Sequence, residues 1–367
     1  MTTTQNPFKQ QILKENEDYK ARFLADYIQG PNYIYKKDIS KKVFRNGSSY
    51  EGQFLNNKRN GIGIFYYVNG DVYMGSWKDD LFDGNGAYLF AKGERFMGDL
   101  KKGIRNGFGI YHYADGNVYE GNWKNGKKSG KGTYIYRATG ESYEGSWENG
   151  YKHGIGIFKF ATGDYYEGEF VNGSKNGMGK MHYKNKTMFE GNWSNDRAEG
   201  KGRILYNNRD RYEGNFSNSM RQGKGTFYYA SGDVYKGDFR NDRIEGKGTV
   251  DYADGSTYSG DFVNSLREGK GSCKYKNGDF YDGDWKGDKK HGLGTYKYKL
   301  DRSLYEGEWF EGERQGKGKF LYGNGDEYEG EFRNGKRHGK GVYKINTQQG
   351  NEMIEGIWED DDFKSNL

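Results

Sequence analysis

A short phrase, aromatic-x-Gly-x-aromatic, returns along this chain at a nearly fixed interval, and nothing else in the sequence restricts the fold as strongly. With the leading ring as position one, it begins at Tyr50, Tyr73, Phe96, Tyr119, Tyr143, Tyr166, Phe189, Tyr212, Tyr235, Tyr258, Tyr281, Tyr305 and Tyr328. The interval is 23 residues, lengthening to 24 twice, so connections between units are tightly held. A period of this size marks an array of small supersecondary units, none able to bury its own apolar face alone. All seven tryptophans, Trp77, Trp123, Trp147, Trp193, Trp285, Trp309 and Trp358, stand at position five. The other repeats place Phe54, Leu100, Phe170, Phe216, Phe239, Phe262 or Phe332 there. Thirteen full repeats result, with a fragment of a fourteenth at residues 354–358.

Each repeat reads as two strands. The first is Tyr-Glu-Gly-x-Trp/Phe and the second Gly-x-Gly-x-Tyr-x-Tyr, as at residues 130–136. Asn125-Gly126, Asp115-Gly116, Asn69-Gly70 and Asn277-Gly278 lie between the runs and tolerate the positive φ that tight hairpin turns need. Side chains alternate along a strand, so Tyr119, Gly121 and Trp123 share one face, and Gly130, Gly132, Tyr134 and Tyr136 share one on the next strand. Glu120, Asn122, Lys131, Thr133 and Ile135 take the opposite side. A glycine between two rings leaves a recess in which the ring of a neighbouring strand lies flat. The fold class expected is all-β: an elongated single antiparallel β-sheet solenoid of stacked hairpins with a thin aromatic spine, preceded by a short N-terminal amphipathic helix. A mean hydropathy of −1.14 would suit a disordered chain, but 34 Tyr, 22 Phe and 7 Trp do not.

Residues 328–341, YEGEFRNGKRHGKG, carry a resemblance. They follow almost letter for letter the MORN (membrane occupation and recognition nexus) pattern, close to YEGEWxNGKxHGxGxxxxxDGxx, and the chain resembles that family through its array. Met97-Gly98-Asp99-Leu100 departs from the pattern, Lys186-Thr187-Met188 lacks the usual Asp-Gly turn, and Thr347-Gln348-Gln349-Gly350 lengthens the thirteenth repeat. The resemblance implies a non-catalytic structural scaffold in a cytoskeletal setting. Arrays of comparable content resemble components of radial spoke heads in motile cilia and of the membrane-associated cytoskeleton of protists. The expectation is therefore a cytoplasmic, cytoskeletal scaffold that binds partner proteins of a large assembly along an aromatic-lined groove, in a ciliary axoneme of the radial spoke head type. The alternative is a scaffold of the membrane-associated cytoskeleton, at a basal or cortical ring, with phospholipid binding. MORN repeats also resemble arms attached to phosphatidylinositol phosphate kinases and lysine methyltransferases, but no non-repeat stretch here is long enough for such a catalytic domain.

Both prolines, Pro7 and Pro31, precede the array and bracket a segment in which Phe8, Ile12, Tyr19, Phe23 and Tyr27 recur at helical spacing. Asn6-Pro7 suits a helix start and Gly30-Pro31 its end. Such a helix either caps the exposed edge of the first hairpin or docks on a partner. Val43-Phe44-Arg45-Asn46-Gly47 is similar to the second strand and turn of a degenerate repeat, so the array is expected to start early. The boundaries are residues 1–49 for the helix and capping segment, 50–358 for the array, and 359–367 for an acidic tail, in which Glu359, Asp360, Asp361 and Asp362 are expected to be solvated.

The candidate groove is the ring face, carrying Tyr73, Trp77, Tyr119, Trp123, Tyr143, Trp147, Trp193, Tyr281, Trp285, Tyr305 and Trp309, because aromatic side chains dominate interface hot spots. At the C-terminal end, Tyr328, Phe332, Tyr343 and Trp358 are candidates for pairing with a second copy as a homodimer. The net charge of +6 is small, and its signs interleave. Lysine recurs at position thirteen (Lys131, Lys201, Lys224, Lys247, Lys270, Lys317, Lys340) and glutamate at position two (Glu120, Glu144, Glu167, Glu190, Glu213, Glu306, Glu329). Cross-strand pairing between them cancels most of the field, which leaves weak anionic phospholipid binding and no nucleic-acid binding.

Catalytic signals dissolve on inspection. His153, His291 and His338 fall at position eleven, where other repeats hold Asn, Asp, Glu, Gln or Ser, so a polar turn position explains them better than a metal site. Gly-Lys-Gly-Thr at residues 130–133 lacks the spacing of a phosphate loop. Asp279, Asp282 and Asp284 lack the glycine and terminal glutamate of a calcium loop. No cofactor or metal is expected. Cys273 is the lone cysteine, so a disulfide framework is absent and a reducing compartment is expected. The opening MTTTQNPFKQQ has no apolar signal core, and no run approaches a membrane-spanning length, so a soluble cytosolic chain is expected.

Overall fold

A computed structural model describes residues 7–23, 25, 39–347 and 350–367. Among them one helix, Pro7–Phe23, precedes 29 strands that follow in chain order and belong by hydrogen bonding to one antiparallel sheet. The chain forms two compact units, Met1–Asn185 with Trp193–Asp196, and Lys186–Asn192 with Arg197–Leu367. Each unit is a ladder of consecutive hairpins.

The strands Val118–Lys124 and Lys127–Tyr136 illustrate the repeating element. Their register runs Tyr119↔Tyr134 and Gly121↔Gly132, then jumps to Trp123↔Lys128. The surplus is a β-bulge in the second strand, where Gly130 takes φ 65°. Asn125 at φ 51° and Gly126 at φ 78° close the hairpin, which is the left-handed pair that a two-residue turn requires.

The glycines serve the rings as the sequence suggests. A Cβ on Gly132 would stand 2.5 Å from the Tyr119 hydroxyl oxygen, and one on Gly121 would stand 2.5 Å from Gly132 Cα. The ring therefore lies flat over the glycine pair of its own hairpin, and its hydroxyl donates to the Asn122 carbonyl at 2.9 Å. Two indoles clamp it edge-on, Trp123 at 5.1 Å and Trp147 of the next repeat at 5.2 Å between ring centres. In the second unit Tyr258 sits likewise between Phe262 at 5.2 Å and Trp285 at 5.3 Å. Trp123 Nε1 reaches back to donate to the Gly109 carbonyl at 3.1 Å. Each leading ring thus joins its own repeat to the next, and these joints make the spine.

The helix begins at Pro7, where a missing N–H costs nothing. It neither caps the edge of the first hairpin nor presents its apolar residues outward. Ile12 and Phe23 are buried, and Phe23 joins Ile64, Val72, Met74, Ala87 and Leu89 in an apolar cluster with Tyr19 packed against it. Those sheet residues lie on the side opposite the rings. Phe8 stays partly exposed beside the turn at Gly116. Arg95, only 6% exposed, ties the helix down by donating to Asn16 Oδ1 at 3.2 Å and to Glu15 Oε2 at 3.1 Å. The edge-capping expectation is corrected because the first repeats are apolar on both sides: Ile62, Ile64, Met74, Ala87 and Met97 occupy positions that in the second unit mostly hold Lys, Thr or Glu, and a sheet apolar on both faces needs a cover. Tyr27 and Gly30-Pro31 lie outside the described residues.

Strand Ile39–Val43 pairs with Ser49–Leu55, so the ladder does begin before the first full repeat. At the other end Gly350–Glu359 turns back into Asp362–Asn366. The acidic run expected as a solvated tail is therefore the turn of a fourteenth hairpin, held by Arg337 Nε to Asp361 Oδ1 at 3.2 Å and by Trp358 against Phe363 at 5.4 Å.

Candidate partner-binding face

The rings expected to line a groove are instead the core of the ladder. Tyr73, Tyr119, Tyr143, Tyr281 and Tyr305 are 0% exposed, and Trp77, Trp123, Trp147, Trp193, Trp285 and Trp309 lie between 3% and 7%. Tyr328, Phe332 and Trp358, the candidate dimer contacts, are buried in the same way; Tyr343 is half-buried, with its hydroxyl donating to Asp326 Oδ2 at 2.9 Å. A single sheet has no second layer to cover its ring face. The rings cover one another, and a row of cations covers the rings.

That row stands at position ten. Lys128 Nζ lies 4.2 Å from the centre of the Trp147 ring, Arg105 lies 4.3 Å from Trp123, Arg267 4.2 Å from Trp285 and Lys290 4.0 Å from Trp309. The aliphatic stems cover the indoles while the charged ends sit over the π faces. Arg59, Arg221 and Arg267 also meet a carboxylate from position eight of the next repeat, with Nε–Oδ1 distances of 3.0 Å to Asp80, 3.0 Å to Asp242 and 3.1 Å to Asp288. Lys128, Lys152 and Lys290 have no carboxylate in ion-pair contact among the described residues. Burial pulls the Lys128 and Lys290 ammonium groups down to about 8, with Lys152 adding to the effect at Lys128 and Arg314 at Lys290. Sequence reasoning missed this lid. Its signal was present: where Ala198 and Ile244 replace the cation, Ser219 and Ser265 replace the aspartate, and their hydroxyls accept from the Ala198 and Ile244 amides at 3.0 and 3.2 Å.

The rings at positions sixteen and eighteen form a second ladder that is mostly half-buried, although Tyr111 and Phe320 within it are buried. In the first unit they run Tyr111–Tyr113 (4.5 Å), Tyr113–Tyr134 (5.7 Å), Tyr134–Tyr136 (4.6 Å), Tyr136–Phe158 (6.0 Å) and Phe158–Phe160 (4.7 Å). In the second unit Tyr296, Tyr298, Phe320, Tyr322 and Tyr343 follow one another at 4.5 to 5.7 Å. Tyr113, Tyr134, Tyr136, Phe158 and Phe160 are half-buried rather than covered, as are Tyr298 and Tyr322. Their phenols titrate above the ordinary value because of burial.

The opposite face is polar in the second unit, and its charges cancel, but not with the partners expected. Lys247 lies across from Asp261 in the register and meets it at 2.8 Å; Lys224–Asp238 and Lys270–Asp284 repeat the contact at 2.7 and 2.6 Å. Position thirteen faces position four of the next repeat, whereas position-two Glu190 reaches Arg203 at position fifteen. Position eleven proves to be an acceptor for the next turn: Glu245 and Gln315 take the Asn264 and Asn334 amide protons at 3.0 and 3.1 Å. His153, His291 and His338 occupy this turn position, each with a buried Nδ1. Among the described residues no group of three or more His, Cys, Asp or Glu side chains is placed to hold a metal ion, and no helix is long and apolar enough to cross a membrane. Cys273 is buried, which raises its thiol pKa.

Hairpin ladder, ring spine and cation lid together define a β-repeat protein. The MORN repeat matches thirteen successive stretches, the first at residues 50–72 and the last at 328–347, and the chain belongs to that family. No curated protein matches the sequence. Among solved structures, the chain is similar to the TCP10 domain of Danio rerio CPAP in complex with a STIL peptide (11% identity, 67% of this chain and 94% of that chain, TM-score 0.33). It is also similar to the SAS-4 TCP domain of Drosophila melanogaster with a proline-rich motif of Ana2 (18% identity, 41% and 81% covered, TM-score 0.27). Superpositions this loose do not bear on function.

Proposed function

We propose that this chain is a non-catalytic scaffold that holds partner proteins along the half-exposed aromatic ladder of its second strands. The observation that carries this reading is the unbroken succession of rings from Tyr113 to Phe160, each within 6.0 Å of the next and only half-buried. Rigid aromatic surface on a preformed sheet anchors a partner at low entropic cost. Family resemblance supports a cytoskeletal assembly as the setting, with a ciliary axoneme of the radial spoke head type ahead of a cortical or basal membrane skeleton. The Lys–Asp contacts of the polar face leave little field for anionic phospholipid. A homodimer through the C-terminal repeats would pair the edge strand Asp362–Asn366, since Tyr328, Phe332 and Trp358 are spent on the core.

The test uses residues that the array itself employs at these positions, Val250 and Ile345. A tagged chain carrying Tyr134→Val, Tyr136→Ile and Phe158→Val is expected to keep its strand circular dichroism yet lose its crosslinked neighbours in its own cell. Undiminished crosslinking by a folded variant would sink the reading. For the unaltered chain, retention on axonemes after non-ionic detergent supports the spoke setting, retention at a cortical or basal ring supports the membrane skeleton, and complete release supports phospholipid attachment.

A further inference from the structure

Three consecutive lid cations in the first unit lack the carboxylate that the same position receives elsewhere. Asp242 and Asp288 each donate their amide to the carbonyl of the cation they neutralise, Arg221 and Arg267, at 3.1 Å. Gly126, Gly150 and Gly173 make the same backbone bond to Arg105, Lys128 and Lys152 at 2.9 Å, with no side chain to follow it. Arg105 Nη2 donates to the Gly126 carbonyl at 3.1 Å, and neither lysine has a carboxylate in ion-pair contact among the described residues. Asp196 beside Lys175 closes the row, and Glu141 and Asp196 act on Lys152 only through space. A half-buried cation without a counter-ion is costly, and an incoming carboxylate relieves that cost through charge-assisted hydrogen bonds.

Spacing narrows the occupant. Successive lid cations are two strands apart, roughly 10 Å along the sheet. A polyproline II chain advances about 3.1 Å per residue and presents the same side every third residue, so its repeat is about 9 Å. Beside the cations, Tyr113, Tyr134, Tyr136 and Phe158 form the half-exposed aromatic bed that such a backbone favours. We propose that the ring face of the first unit binds an acidic, extended segment of a partner protein with carboxylates three residues apart, met in turn by Arg105, Lys128 and Lys152. The proposal rests on reading the ring ladder as the partner-binding face and gives that partner its chemistry. Lys290 and Arg314, opposite Gly312 and Gly335, form a shorter row of the same kind in the second unit.

The probe is a fluorescein-labelled (Glu-Pro-Pro)4 peptide, with its Gln and Lys counterparts, titrated against the full chain by fluorescence anisotropy. The Glu peptide is expected to bind at least about tenfold more tightly than the Gln peptide, to weaken with salt, and the Lys peptide not to bind. Gly126→Asp, Gly150→Asp and Gly173→Asp restore the missing carboxylates. Asp242 and Asp288 already hold φ 67° at this turn position, so the hairpins keep their shape. Each restored carboxylate is expected to weaken the Glu peptide about fivefold, and all three about a hundredfold. Unchanged affinity in the triple variant, equal binding of the Glu and Gln peptides, or no binding of the Glu peptide overturns the proposal. In each of those cases loss of cellular crosslinks by the Tyr134→Val, Tyr136→Ile, Phe158→Val chain leaves the ring-ladder reading standing, whereas their persistence removes both.

Discussion

The hairpins beneath the helix and those in the middle of the second unit have the same kind of spine and differ in everything behind it. Under the helix the side opposite the rings is dry: Ile64, Met74 and Ala87 are 0% exposed. In the second unit Thr249 and Lys236 occupy the positions of Ile64 and Met74 and face solvent. The ring spine therefore suffices to hold a hairpin in place, and the helix adds a second layer over the apolar cluster of Ile64, Val72, Met74, Ala87 and Leu89. Stability beyond the spine is concentrated at the N-terminal repeats, while the later ones keep their outer surface free.

Removing a spine ring tests the shared part. Tyr73→Ala and Tyr258→Ala are each expected to cost about 4 kcal/mol, read as lost hydrogen-exchange protection in the hairpin concerned; a much smaller loss at Tyr258 would break the claim that the spine is equivalent in both regions. The differing part responds next. Met74→Ala is expected to cost about 3 kcal/mol and to loosen the helix, whereas Lys236→Ala at the matching position stays within about 0.5 kcal/mol.

Lid and spine respond to pH with opposite signs. Unfolded lysine keeps its proton to about 10.4, while Lys128 and Lys290 lose theirs near 8 in the folded chain. Over that window the unfolded state binds more protons, so stability rises with pH. The spine tyrosines, raised by burial, add stability that is complete below about 10 and is lost as pH climbs toward their folded values. Thermal denaturation is thus expected to show a maximum between about pH 8 and 10, and Lys128→Met with Lys290→Met is expected to flatten the rising limb. A rising limb that survives both substitutions would locate its origin elsewhere. The smallest effect is that of Lys247→Ala, whose exposed pair with Asp261 is worth about 0.5 kcal/mol at most and should vanish in high salt.

Much of the fold was legible because its causes are local. The turn pair Asn125-Gly126 declares a hairpin, and Gly121 and Gly132 declare a ring above them. Coverage was not legible. Trp123 and Tyr134 fall on the same face by alternation, yet one is 5% exposed and the other half-buried, because Arg105, Phe96 and Tyr111 of the preceding repeat all close over Trp123. The helix was placed at the edge from its own periodicity, when the sheet residues Ile62, Ile64 and Met74 held the information about its seat. Glu359, Asp360, Asp361 and Asp362 read as a tail by composition alone, although Arg337 had already claimed Asp361.

The sequence by itself determined the period, the pairing of ring with glycine and the two-faced hairpin, since each follows from backbone conformation and side-chain alternation within a few residues. Only the tertiary structure decided which rings are sealed and which are reachable, where the helix lies, and which lid cations meet no carboxylate among the described residues. Those depend on what the next hairpin places within a few ångströms, and that proximity arises only once the strands have paired.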